Sequence, residues 1–474
     1  MDNIITGKIL KVNGWPDGKV IGIAKRIAEK LAEQGFERET ILARLDAVRQ
    51  NPGPFLADEL LADLAREWIR ITQPEVPSVN ELRDSPLRYP IWGKDQIDAG
   101  SIAQMDNAMR LPVSVAGALM PDAHIGYGLP IGGVLATENA VIPYAVGVDI
   151  ACRMRLSLYE VSPHLLGQKP GMFENALLKE TAFGMGAQWK GSDRRHHDVL
   201  DDSAWYATPL LKTLKDNAMR QLGTSGTGNH FVEWGSFRLY EPLYGLQPGE
   251  YLALLSHSGS RSVGFKIADR YSKLAMEKHP DLDKTIRHLA WLSLDAEEGQ
   301  EYWLSMELAG RFASANHAII HHSLAKAIGL NEALVIENHH NFAWSEKLPD
   351  GRMVIVHRKG ATPAGAGVLG VIPGSMGDPG YVVRGRGVND SLQSASHGAG
   401  RLMSRRAALE SISRVTRDEY LRERGVTLLG GGRDESPQAY KPIDSVIAAQ
   451  HDLVDVIGKF MPRIVRMADE AGEY

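Results

Sequence analysis

Histidine is the residue type to follow in this chain. Several of its 16 copies sit in glycine-rich or asparagine-flanked segments, where backbone can approach a ligand closely. Asp122 and His124 lie in MPDAHIG, Asp149 and Cys152 in GVDIAC, Asn229 and His230 in GTGNHF, and His257 in SHSGSR. The pair His339 and His340 precedes Asn341, and His397 opens HGAGR. Carboxylate, thiolate and neutral imidazole are together the ligand types of a transition metal, and a deprotonated sulfur can bridge two ions. The groups are scattered from Asp149 to His340, so spacing alone does not make them one site. A buried Cys152 acting as a small hydrophobe is the competing reading. His317 and His321 stand four apart on a helical pattern but lack the acidic partner of an HExxH arrangement, which favours a structural role. His164, His196, His197, His279 and His451 fall in polar stretches and read as solvated.

Two further segments suit phosphate: Pro373-Gly374-Ser375-Met376-Gly377 and His397-Gly398-Ala399-Gly400-Arg401, the second expected to run straight into a helix. A helix N-terminus offers unpaired N–H groups and a favourable dipole. Neither segment matches a Walker A or GxGxxG pattern, so a simple tight turn is an equal reading. An imidazole beside a bound phosphoryl group can act as general acid, general base or nucleophile. Arg358, Lys359, Arg384, Arg386, Arg401, Arg405 and Arg406 lie near these segments. If they share one face they make a local anion patch; the alternative is a solvated surface.

The elements that must position these residues change character along the chain. Residues 19 to 70 read as three amphipathic helices. Val20, Ile23, Ile27 and Leu31 form one stripe, Ile41, Leu42, Leu45 and Val48 the next, and Leu56, Leu60, Leu64 and Trp68 the third. Pro74, Pro77 and Pro86 mark a linker. From about residue 87, short β-branched runs such as Ile131–Val134 and Met353–Val356 alternate irregularly with helical patterns at 296–328, 401–416 and 442–460. The absence of a regular βαβ alternation predicts an α+β body. The division expected is a helical unit with linker over 1–84 and a catalytic domain over 85–474.

Composition bounds the rest. With 474 residues, 43% hydrophobic and 23% charged, the chain can bury a large core. A single cysteine permits no internal disulfide and suggests a reducing compartment. No apolar run approaches the length of a membrane helix and the start lacks a secretory pattern, so a cytoplasmic protein with no membrane partner is expected. A formal charge of −5 withholds the global basic field of a non-specific nucleic-acid binder.

The succession of HGAGR, PGSMG, GNHF and SHSGSR resembles the RtcB-type RNA-splicing ligases, over roughly residues 85 to 474. The resemblance implies an α+β fold with a dinuclear metal site. It also implies two manganese ions, GTP, and RNA substrates with a 3′-phosphate or 2′,3′-cyclic phosphate at one end and a 5′-hydroxyl at the other. By motif, Asp149, Cys152, His230, His257 and His340 become the metal ligands, with Cys152 bridging. His397 becomes the nucleophile that takes GMP, oriented by Asp122. Asn229 and Asn341 fall where the family contacts the phosphates. Glu233, Tyr440 and the loop of Pro373, Gly374, Ser375 and Met376 fall where it holds the nucleoside, beside Gly398, Ala399, Gly400 and Arg401. Manganese follows from the resemblance alone, since affinity order favours other metals for the same ligands.

The chain departs from that pattern at three places. Arg153 follows Cys152 where glycine is usual, a change expected to bear on access to the metals. Gly380 replaces a serine that helps to bind the base, and the C-terminal end lacks a terminal Lys-Gly, which leaves ATP open beside GTP. Two other readings stay open: a dinuclear metal phosphoesterase acting on cyclic phosphate ends, and a non-catalytic RNA-end binder.

Overall fold

The structure is a computed structural model and describes residues 5–56, 58–72 and 81–469. Pro74 and Pro77 of the expected linker lie outside the described residues. Helices Lys19–Glu33 and Arg38–Gln50 carry the two predicted stripes inward, and Gly7–Val12 adds a short helix that the periodicity did not announce. The third helix begins at Ala62 rather than near Leu56. Asp58 is the reason: its Oδ1 accepts from Leu60 N (2.9 Å) and Leu61 N (2.8 Å), a side-chain turn that competes with helix. The buried apolar residues between Ile5 and Ala65 form a cluster of their own.

A twisted sheet of eight strands dominates the rest. Its order runs Leu369–Ile372, Gly380–Gly385, Val454–Met467, Phe231–Leu239, Gly249–Ser258, Arg153–Tyr159 and Leu334–His339, and Thr427–Leu429 lies parallel beside Val454–Met467. Every other pairing in it is antiparallel. In Phe231–Leu239 the two-residue period sends Phe231 and Phe237 to one core and Val232 and Trp234 to the other. Helix Glu297–Ile328 covers the second face with Ile320 and Leu324. It is the predicted long helix, opened by Glu297 and Glu298 in its first turn and closed by Gly329 in the left-handed region (φ 70°). A second, antiparallel sheet of four strands holds Ser114–His124, Ile131–Thr137, Met353–Lys359 and Asn341–Lys347. The mixture of helix and mainly antiparallel sheet agrees with the α+β expectation.

Two helical expectations fail. The 401–416 pattern is split into Arg405–Ser411 and Arg414–Glu423, because Ser404 and Ser413 each cap a new start by accepting from Ala407 N and Thr416 N. The HGAGR loop therefore does not run straight into a helix N-terminus. The 442–460 pattern is helical only over Ile443–Ala448, and from Val454 it is the longest strand of the large sheet. Val454, Val456, Gly458 and Phe460 alternate there, and pairing on both sides outweighs any local helical preference.

Candidate active site

Antiparallel register explains how candidate ligands so distant in sequence meet. Cys152 and His230 immediately precede Arg153–Tyr159 and Phe231–Leu239, while His257 is next to last in Gly249–Ser258 and His340 follows Leu334–His339. Starts of two strands and ends of two others share one edge, with Arg153 opposite both Ser258 and His339, and Phe231 opposite His257. Cys152 Sγ lies 3.1 Å from His257 Nε2 and 3.4 Å from His230 Nε2. His257 Nε2 is 3.2 Å from His340 Nε2, and Asp149 Oδ2 is 3.0 Å from His230 Nε2. Cys152, His230 and His257 form a cluster whose ligand atoms lie within 4.8 Å of one another.

The donors suit a divalent cation. His257 donates from Nδ1 to the Asn229 carbonyl at 2.9 Å, which leaves the Nε2 lone pair facing the sulfur. Burial holds His257 down at about 3 and His340 well below the ordinary imidazole range, so both are neutral. Burial raises the Cys152 thiol, and the nearby Asp149 raises it further; a cation beside the sulfur reverses that balance. Burial would also raise Asp149, but the hydrogen bond and charge of His230, with Arg261, bring it below the usual carboxylate range. Gly226 is required by close approach: a Cβ there would overlap His230 Nδ1, which is buried and has no partner among the described residues.

His397 stands beside this cluster, its ring centroid 4.8 Å from that of His340. It follows strand Ser394–Ser396, which pairs with Ala361–Pro363, and Ala361 N donates to the His340 carbonyl. Asp122, buried near the end of Ser114–His124, accepts from His397 Nδ1 at 2.7 Å and from His397 N at 3.1 Å. That bond places a ring proton on Nδ1 and leaves Nε2 as the nitrogen that Asp122 does not hold. Gly400 takes φ +74° with its α-carbon against the Asp122 carbonyl, where any side chain would collide. Lys441, unheralded by any sequence pattern, donates from Nζ to the carbonyls of Pro121 and Ala123, both at 2.9 Å, and so clamps the backbone around Asp122. His124 is held down at about 4 by burial, and its Nδ1 contacts the Asp122 carbonyl.

The expected nucleoside residues are placed unevenly. Glu233 lies on the sheet face that also packs Phe231, Leu255 and Met376, buried, with Oε2 unpartnered among the described residues. Burial pushes its carboxyl well above the normal range. Ser375 is tied to Asp378, and Gly398 lies against the Pro373 carbonyl, so the two glycine-rich loops are neighbours. Arg401 and Tyr440 face each other in a bridge, with Arg401 Nη1 donating to the Tyr440 hydroxyl at 3.2 Å. The Arg401 guanidinium is also engaged by the Asp434 carbonyl and Glu435, which bind it within the protein. Asn341 accepts from Gly360 N at 2.8 Å and donates to the Asp149 carbonyl at 3.2 Å, while Asn229 is exposed.

Carboxylates engage the arginines expected to make a local anion patch. Arg358 is buried and bidentate to Glu346, Arg384 pairs with Glu241, Arg386 with Asp455, Arg405 with Asp434 and Glu435, and Arg406 with Glu410. Arg153 directs its guanidinium to partners outside the sulfur–imidazole cluster. Its guanidinium turns beneath the sheet to Glu337 and to the Gly310 carbonyl of the long helix, because successive strand residues point to opposite faces. His317 and His321 are structural as expected, both hydrogen-bonded to Ser256 Oγ (2.7 and 2.8 Å). His279 is partly buried: its ring lies against that of Trp291 and bonds the Trp291 carbonyl.

The family model described as tRNA-splicing ligase RtcB matches residues 104–468. The chain is 33% identical over 399 residues to the RNA-splicing ligase RtcB of Escherichia coli K12, covering 77% of this chain and 94% of that protein. It is 30% identical over 465 residues to the tRNA-splicing ligase RtcB of Thermococcus kodakarensis, with 80% and 95% covered. Against the RNA-splicing ligase RtcB of Mycobacterium tuberculosis the figures are 32% over 423 residues, with 73% and 95% covered. The helices before residue 73 fall outside the family match, whereas the strands carrying Asp122, the sulfur–imidazole cluster and His397 fall inside it. The chain belongs to the tRNA-splicing ligase RtcB family.

Proposed function

We propose that this protein is an RNA ligase that joins a 3′-phosphate or 2′,3′-cyclic phosphate end to a 5′-hydroxyl end, with GTP and two manganese ions, through GMP carried on His397. The observation that carries the reading is the His397 ring, its Nδ1 held by buried Asp122 and its face against His340 of the sulfur–imidazole cluster. Asp149, Cys152, His230, His257 and His340 would hold the ions. Ions held there would supply positive charge to the triphosphate and to the departing pyrophosphate. His397 Nε2 attacks the α-phosphorus, the N–P bond forms as the bond to pyrophosphate breaks, and Asp122 stabilises the positive ring that results. The RNA 3′-phosphate then takes GMP from the ring, and the 5′-hydroxyl displaces GMP to form the new phosphodiester. A cyclic phosphate is hydrolysed to the 3′-monophosphate first.

Asn229 and Asn341 are assigned to the phosphates. Glu233, Pro373, Gly374, Ser375, Met376, Gly398, Ala399, Gly400, Arg401 and Tyr440 are assigned to the nucleoside end. Residues 1–84 are read as a helical unit and linker ahead of the catalytic domain, and a lone buried Cys152 suits a cytoplasmic protein. No helix among the described residues is long and apolar enough to cross a membrane.

The test is incubation of the protein and manganese with each α-labelled nucleoside triphosphate, followed by mass spectrometry of the His397 peptide. GMP on His397, lost with end joining in His397→Ala, is the expected result. Unchanged turnover of cyclic phosphate ends by His397→Ala, with no labelling of the wild type, would replace ligation with phosphoesterase chemistry.

A further inference from the structure

Large apolar side chains are left in solvent on the segments that follow Asp122 and precede Asp149, the first of them otherwise firmly held. Tyr127 is 67% exposed and Ile125 61%, in the segment that follows Asp122 and His124; Val148, next to Asp149, is 42% exposed. The loop backbone is fixed from three sides. Gln104 donates to the Gly126 carbonyl at 2.6 Å and accepts from Gly126 N at 3.0 Å, Lys359 Nζ donates to the Tyr127 carbonyl, and Gly128 abuts the His288 carbonyl. Such a platform gains nothing for folding from its outward rings, since their apolar surface stays wet.

The rings themselves are ordered. Tyr127, Tyr144 and His288 form a trio with centroids 4.8 to 6.4 Å apart. His288 meets the other two at steep angles, 79° and 68°, and Tyr127 keeps 67% of its surface in solvent. Tyr144 belongs to the short helix Pro143–Val146 that leads into Asp149. Lys359, whose ammonium sits behind Tyr127, is followed by Gly360, and a Cβ at Gly360 would lie 3.1 Å from His397 Cε1. The trio is thus linked to His397 through Lys359 and Gly360, by residues other than Glu233 and Met376.

We propose that Tyr127, backed by Tyr144 and His288, is a stacking platform for the terminal base of an RNA end, holding it while its phosphate or hydroxyl reaches the metal cluster. The inference rests on the ligase reading. Every base has a π-face, so stacking grips an RNA end without reading its sequence.

The test uses two short RNAs, one with 2-aminopurine as the last base before a 3′-phosphate, the other with it as the first base after a 5′-hydroxyl. Wild type should quench one of them on binding, and which one identifies the end that is held. Tyr127→Ala should abolish that quenching and weaken binding of that RNA by roughly 5- to 100-fold. Tyr127→Phe and Tyr127→Trp should retain both, and nucleotide labelling of His397 should be unchanged in all three. Equal quenching and binding by Tyr127→Ala, with His397 labelling intact, overturns the platform and leaves the ligase standing. Absence of His397 labelling in the wild type overturns the ligase reading itself.

Discussion

Cys152 and Glu233 are both buried polar groups, yet burial serves them differently. A thiol beside imidazole nitrogens at 3.1 and 3.4 Å gives up its proton to solvent once a cation arrives, because the thiolate is the ligand. Cys152→Ser keeps the volume and removes the soft ligand. It should lower manganese affinity by roughly 100-fold or more while leaving the circular dichroism spectrum unchanged, as titration calorimetry and spectra can check. Glu233 has no such partner, and its folded carboxyl is raised. The unfolded chain releases the Glu233 proton near the ordinary value and the folded chain does so only at higher pH, so this residue costs stability increasingly as pH climbs above about 4.5. Glu233→Gln should therefore raise the melting temperature by about 1–3 °C at pH 8 and leave it unmoved at pH 4. A gain of equal size at both pH values would contradict the assigned cause.

At the scale of elements, the turn before Phe231–Leu239 does the positioning. His230 fits only because Gly226 carries no side chain, and Arg261 reaches across to Thr224 Oγ1 at 3.2 Å to brace the same turn. Gly226→Ala should push the imidazole off its position and cut manganese affinity by about 10- to 100-fold. The strand behind it is paired on both sides and should stay formed. The expected signature is reduced metal content with a melting temperature close to wild type in the presence of a chelator. Wild-type metal content would show that the turn gives way and the ring does not.

Across the whole molecule, the N-terminal helices and the sheet-bearing body each bury their own apolar residues. A visible tie between them is the exposed pair Lys11–Glu297 at 3.1 Å, of a kind worth at most about 1 kcal/mol. Leu82, Leu87 and Tyr89 belong instead to a cluster of the body with Met105, Leu119 and Leu135. A chain beginning at Glu81 should fold and acquire nucleotide on His397 at a rate within about threefold of the full chain, a difference of less than 1 kcal/mol. Aggregation of the shortened chain, with loss of labelling, would assign the helices a structural role in the body.

The sequence by itself determined the chemistry on offer: which residues can ligate metal, that one sulfur is present, that His397 lies among glycines, and where the N-terminal stripes and the long helix run. These are properties of residue type and of 3.6-residue periodicity, which act over short distances. Tertiary structure decided which of them meet. Strand register gathers Cys152, His230, His257 and His340 at one sheet edge, and no local pattern encodes a pairing between segments so far apart. It also decided that 454–467 is a strand, that Arg401 and Arg358 spend their charge on carboxylates, that Arg153 turns beneath the sheet, and that Lys441 holds the backbone around Asp122. A side chain's partner depends on what the fold brings within a few ångströms of it, and that distance is set by the whole chain.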